Sequence, residues 1–271
     1  MKTFKYLKCH PKYKHIKTCI DDKLILNMRD IWNKRHPDKI IYSKNIKHIE
    51  VQLRKYLSIC KDQKCLLNRT VKKKFKLFAP YSPKQWVKGK SDWLDSLDIM
   101  RVMKQYEEAY PNFEFIGPSP MDFDSKPDGA CVWSELCHFS IKKQLAKKKN
   151  KIGFIFNTDP HYEEGSHWVC MFMDLDENYI FYFDSSGAPP TDEINAFSER
   201  ALTQCKALNR DMRVYNNKNM KHQYKSGECG MYALYTIITI LEHTHNIQYF
   251  MKTKIPDIKM NQYRDVVFNA L

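Results

Sequence analysis

The chain of 271 residues lacks any long apolar run. The longest, Met231 to Leu241, is interrupted by Thr236 and Thr239 and falls well short of the ~20 residues that span a bilayer. It reads as a buried helix, and no membrane partner is expected. The opening MKTFKYLKCHPKYKHIK carries a lysine every two or three residues and no apolar stretch, which excludes a secretory signal. Glycine is scarce, at 8 residues, beside abundant Lys, Ile and Asn, a coding bias to which no function attaches. Internal repeats and long low-complexity tracts are absent, which excludes a repeat array. The nine cysteines are odd in number and follow no framework, so a stapled secreted domain is excluded and reduced, cytoplasmic thiols are expected. Zinc needs paired ligands at short spacing. Cys60 with Cys65, and Cys131 with Cys137 and His138, lack a convincing second half and read as small buried hydrophobes. No metal or cofactor is expected.

What is present is enough apolar material to fold, with 43% hydrophobic and 13% aromatic residues. The length suits one sizeable core, or one core and a small extra domain. The net charge of +14 is unevenly placed: residues 1–90 hold 25 Lys+Arg against 6 Asp+Glu, and residues 91–271 hold 20 against 25. The split divides the chain into a basic, mainly helical arm domain over 1–88 and a core over 89–271, joined by a linker near 78–90 that follows KKKFK and contains Pro80, Pro83 and Gly89. Residues 1–20 are unpatterned and expected to be mobile. Helical spacing marks 22–34 and 45–59.

In the core, Ser91 or Asp92 is expected to cap a helix carrying Trp93, Leu97, Met100 and Tyr106, ended by Pro111. Ala130–Lys147 reads as a second helix. Ile152–Asn157, His167–Asp174 and Tyr179–Asp184 read as strands, the last two as a hairpin. Thr191 caps a helix to Leu208, Met212–Tyr215 is a short edge strand, Gly230–Glu242 is a long apolar helix, and a final helix starts near Ile258. The fold class is α+β, a mixed central sheet flanked by helices.

A cysteine nucleophile needs help to ionise, a basic partner, and donors for a developing oxyanion. Cys229 lies where a turn meets an apolar helix, so free N–H groups and the helix dipole favour its thiolate. Gly230 beside it leaves room for substrate. His167 opens one hairpin strand and Asp184 ends the other, so the two are expected to be cross-strand neighbours. Asp184 then fixes the imidazole tautomer. His161, in the same loop as His167, competes for the role of base. Gln223, six residues before Cys229, can donate to the oxyanion beside the Cys229 backbone N–H.

GSHWVCMFMDL, YIFYFDSSG and QYKSGECGMYAL resemble the His, Asp and Gln…Cys segments of the SUMO-specific and adenovirus-type cysteine proteases, in order and spacing. WLDSLDIM at 93–100 resembles the family's WLND-type motif, and the resemblance covers about residues 91–245. It implies a papain-like cysteine protease core of the ubiquitin-like-protein protease type. His167 would be base, Asp184 its orienter, Cys229 nucleophile and Gln223 oxyanion donor, with Trp93 and Trp168 clamping a Gly-Gly segment. The chain departs at Asp95-Ser96, where the family has Asn-Asp, and at Glu228, where SUMO proteases favour Asp. The basic arm, Cys60 and Cys65, and GPSPMDFD are more similar to the proteases of large DNA viruses, of the African swine fever virus type. That implies processing of structural polyproteins after Gly-Gly, in host cytoplasm and virion.

Three other readings stay open. The same core can deconjugate a ubiquitin-like protein, and related cores transfer acetyl groups, although paired Trp residues and the Gln-to-Cys spacing favour peptide cleavage. Separately, the basic arm offers phosphate contacts to DNA or another polyanion, against a plain solvated surface.

Overall fold

The computed structural model describes residues 4–14, 18–71, 75–87 and 92–271. The chain divides into two compact units, Met1–Tyr81 with Val267–Asn269, and Ser82–Val266 with Ala270–Leu271. Gly89, the Ser91 cap and most of KKKFK lie outside the described residues.

The first unit is built on α1 (Asp22–Arg35), α2 (Ile46–Tyr56) and α3 (Gln63–Thr70). Each starts at a short polar side chain that accepts from a free N–H of the first turn: Asp21 from Leu24 at 2.7 Å, Asn45 from Lys47 at 3.1 Å and Asp62 from Cys65 at 2.8 Å. Met28, Ile49, Leu53 and Leu66 close a common core. The N-terminal residues, expected to be mobile, are instead tied down where described. The Lys5 N–H donates to Lys61 O at 2.8 Å, and Cys9 bridges to Phe78.

The expectation of reduced thiols is overturned. Cys9–Cys19, Cys60–Cys65 and Cys131–Cys137 are disulfides, 10, 5 and 6 residues apart. Each closes a short local loop, so no long-range pattern betrays it in the sequence. The donor atoms of Cys131, Cys137 and His138 lie within 4.8 Å of one another, but two of the three are joined by the disulfide. Cys170, Cys205 and Cys229 are free thiols.

The second unit opens with α4 (Ser96–Ala109) and β1 (Phe113–Pro120), then α5 (Ser134–Cys137), α6 (Ile141–Ala146), β2 (Lys151–Asn157), β3 (Trp168–Asp174) and β4 (Tyr179–Phe183). It continues with α7 (Asp192–Ala207), β5 (Arg213–Asn216), α8 (Cys229–Leu241), α9 (Ile247–Lys252) and α10 (Asp257–Val267). The sheet runs β1-β2-β3-β4-β5 in space. Its outer pairs are parallel and the inner ones antiparallel. Two expected helices are corrected. α4 begins later than expected because Asp95 and Asp98 form a capping box, which leaves Trp93 in the approach to the helix. The stretch 130–147 breaks into α5 and α6 because the Ser140 side chain accepts from Lys143 N and starts a new helix. β1 escapes sequence reading because Gly117, Pro118 and Pro120 are poor strand formers, tolerated at a sheet edge.

α7 packs Ile194, Phe197, Ala201 and Cys205 against one sheet face, on Phe154, Phe156, Met171 and Tyr182. α8 covers β2 and β3, and all 13 of its residues are buried. With both faces covered, β2 and β3 read as continuous apolar runs rather than alternating ones. Gly153 on β2 has no room for a side chain: a Cβ there would lie 2.9 Å from Phe113 Cζ of β1 and 3.0 Å from Ile237 Cγ2 of α8. Gly153→Ala should therefore destabilise the fold by about 1–3 kcal/mol through overpacking, read as a lower chemical denaturation midpoint. An unchanged midpoint would mean that α8 gives way freely.

Candidate active site

The β3–β4 hairpin sets the first two side chains. Asp174 accepts from the Asp176 and Glu177 amides at 3.0 Å each, closing the turn, and the register pairs Cys170 with Phe183. Extending it one step puts Asp184 opposite Val169, two residues from His167, a diagonal that side chains bridge. The His167 Nε2–H donates to Asp184 Oδ1 at 2.7 Å. Asp184 is buried and His167 is partly exposed. With Nε2 engaged, Nδ1 is the ring nitrogen left for the thiol of Cys229, which interacts with the imidazole closely enough to raise its pKa. Burial alone would push the His167 imidazole down. The hydrogen bonds to Asp184 and Cys229, and the charges of both, outweigh it and push it up to about 10.

Cys229 is the first residue of α8 and is buried, so its sulfur sits among the unsatisfied N–H groups of a helix start. Sequence reading expected the helix to begin one residue later. Gly230 follows, and a Cβ on it would lie 3.1 Å from Leu94 Cβ and 3.3 Å from Trp168 Cδ1. Trp168 is pinned by its indole N–H donating to Leu94 O at 2.9 Å. Trp93 is 40% exposed and makes no ring contact with Trp168 among the described residues. The rival histidine is drawn elsewhere: His161 Nδ1 pairs with Asp122 Oδ2 at 2.6 Å.

Gln223 is reached through the turn after β4. Ser185 O accepts from the His222 and Gln223 amides at 2.9 and 2.8 Å. Ser185 Oγ donates to Gln223 Oε1 at 2.6 Å, and Gln223 Nε2 donates to Lys225 O at 2.7 Å. One Nε2 hydrogen is thereby used and a second remains.

Sequence reasoning missed two supports. Buried Asn217 accepts from the Asp184 N–H at 2.9 Å and donates to Asp184 O at 2.7 Å, fixing the turn that carries the carboxylate. Arg264 of α10 and Glu228, each 1% exposed, form an ion pair at 2.8 Å directly before Cys229. Arg264 also donates to Gly227 O at 3.1 Å and Asp92 O at 3.0 Å, and stacks on Trp86. Glu228 was visible only as a departure from the family pattern, and nothing near Arg264 in the sequence signals its partner. Breaking a buried pair strands the remaining charge, so Arg264→Met should cost about 3–5 kcal/mol of stability. Adding Glu228→Gln should return much of that loss in a double-mutant cycle. Additive losses would mean that the two groups are not coupled.

The sequence model of the Ulp1 protease family, C-terminal catalytic domain, matches residues 101–268. An Acanthamoeba polyphaga mimivirus protein named for thiol protease activity is 36% identical over 152 residues, 56% of this chain and 48% of that protein. The chain thus spans about half the length of this relative. A cysteine protease of African swine fever virus is 28% identical over 184 residues, 65% of this chain and 67% of that protein. The crystal structure of an African swine fever virus protease superposes with a TM-score of 0.69 at 20% identity, over 99% of this chain and 98% of that one, a likeness of fold. With the family model covering well over half of the residues, the chain belongs to the Ulp1 protease family.

Proposed function

We propose that the chain is a cysteine endopeptidase that cleaves after Gly-Gly-type sequences, with Cys229 as nucleophile, His167 as its proton partner and Asp184 as orienter. The observation that carries this reading is the single imidazole that hydrogen-bonds Asp184 at 2.7 Å and is raised in pKa by both Asp184 and Cys229. The sulfur of Cys229 attacks the scissile carbonyl carbon, forming a C–S bond while the oxygen takes the electron pair. The Cys229 N–H and the second Nε2 hydrogen of Gln223 serve as oxyanion donors. Collapse breaks the C–N bond, and the imidazolium gives its proton to the leaving amine. Water, deprotonated by His167, then hydrolyses the thioester.

The Gly-Gly preference is supported by crowding beside the nucleophile, where Leu94, Trp168 and Gly230 leave little space for side chains. Trp93, exposed next to Leu94, is free to close over such a segment. For the natural substrate, the Ulp1 family assignment and the African swine fever virus relatives named SUMO-1 cysteine proteases favour a ubiquitin-like protein. Polyprotein maturation is the second reading, favoured by relatives from two large DNA viruses. The basic arm is proposed as a holder of DNA or another polyanion, which binding that weakens steeply with salt would support.

A fluorogenic peptide ending in Gly-Gly tests the reaction. Cys229→Ala and His167→Ala should each cut kcat at least about a thousandfold, and Gln223→Ala about a hundredfold, with folding intact. Full activity in Cys229→Ala would end the proposal. Mass mapping of products from a ubiquitin-like precursor and a Gly-Gly polyprotein decides between the substrates.

The raised His167 pKa gives a pH signature. The imidazole keeps its proton through neutrality, and its stabilising effect is complete below about 6.5, its unfolded value. That effect is lost as pH rises through about 10. The alkaline limb of kcat/KM should fall there. In Asp184→Asn, which removes the strongest raising contact, the limb should move to lower pH. An unmoved limb would detach it from His167.

A further inference from the structure

Trp168 meets Leu94 and Gly230 beside Cys229 and is also on the lining of a cleft of about 590 Å³. The cleft's apolar walls include Met100, Pro118 and Trp133. Its lining also includes four carboxylates, Asp128, Asp159, Glu163 and Glu164. None of the four side chains has an ion-pair or hydrogen-bond partner among the described residues. The only cationic candidate on the lining, His161, is engaged with Asp122 at 2.6 Å. A second observation is independent of charge. Ser119, on the same lining, is 1% exposed, and its hydroxyl has no hydrogen-bond partner. Buried hydroxyls in folded proteins are normally satisfied, and this one is left without a partner among the described residues.

We propose that this cleft is a specificity subsite for a lysine or arginine side chain of the polypeptide substrate. The inference rests on the protease reading above and adds a substrate feature to it. An apolar lining with an acidic rim suits a long aliphatic stem that carries a cationic head. Lys and Arg can donate to the Ser119 oxygen, but a hydroxyl also donates to carboxylates, so the preference for a cation rests on the four acidic side chains. Acidic side chains would be repelled by four uncompensated charges. Because Trp168 is shared by the cleft and the surroundings of Cys229, the basic residue falls a few positions from the bond cleaved, given the rise of an extended chain.

The test uses the full chain and neutral peptides around Gly-Gly. Each of the three positions preceding Gly-Gly, and each of the three following the scissile bond, carries in turn Lys, norleucine or Glu. At one position, Lys should exceed Glu in kcat/KM by about tenfold, with norleucine between, and added salt should shrink the gap. The near-isosteric variant Asp159→Asn/Glu163→Gln/Glu164→Gln should erase the ranking while cleaving the norleucine peptide as the wild type does. A ranking absent from the wild type, or one that survives in the variant, overturns the inference. Cleavage of the norleucine peptide upholds the protease reading whatever the ranking. If no peptide is cut, that reading fails, and the subsite is judged by fluorescence anisotropy of the labelled peptides on Cys229→Ala. Equal Kd values for Lys and Glu peptides would then overturn it.

Discussion

The hydrogen bond from His167 Nε2 to Asp184 Oδ1 is the contact on which the candidate site depends, because it decides what the other ring nitrogen can do. A free imidazole at a strand end would exchange tautomers and swing. Held by a buried carboxylate, it presents one edge to Cys229 and keeps its proton across the neutral range. The bond in turn requires that β3 and β4 be in register and that Asp184 stay buried. The Asp174 turn supplies the first condition. Asn217, bonding both backbone groups of Asp184, supplies the second.

The other half of the site comes from a different part of the chain and is fixed by different forces. α8 is apolar on every side and fully buried, so its start is set by packing against the sheet rather than by a capping side chain. The residue before it, Glu228, makes no cap hydrogen bond and is turned instead to Arg264. The loop carrying Gln223 is joined to the Asp184 turn through Ser185. The acid and the amide therefore share one rigid support, and a shift in that turn displaces both.

Much of this was legible in the sequence, for physical reasons. β2, β3, β4, α7 and α8 announced themselves by long apolar or periodic runs, and tertiary packing reinforced what local pattern suggested. His167, Asp184 and Cys229 were singled out because each sits where an element begins or ends, and Gln223 by its spacing from Cys229. What escaped had weak local signals. β1 is built on Gly117, Pro118 and Pro120, α3 and α9 are short, and the disulfides join near neighbours whose pairing depends on three-dimensional approach. Arg264 sits in an ordinary polar helix, 36 positions from Glu228, and Ser119 is one unremarked serine. Contacts made over such separations leave no periodicity to read.

The Arg264–Glu228 pair has a bearing on the order in which the protein becomes competent. Synthesis delivers His167, Asp184 and Cys229 before α10, so a nascent chain holds Cys229 beside an acid, Glu228, with no guanidinium to neutralise it. Only when α10 docks does the segment leading into Cys229 acquire its countercharge. A polypeptide clipped ahead of α10 would leave Glu228 in that same unneutralised condition, one residue from Cys229.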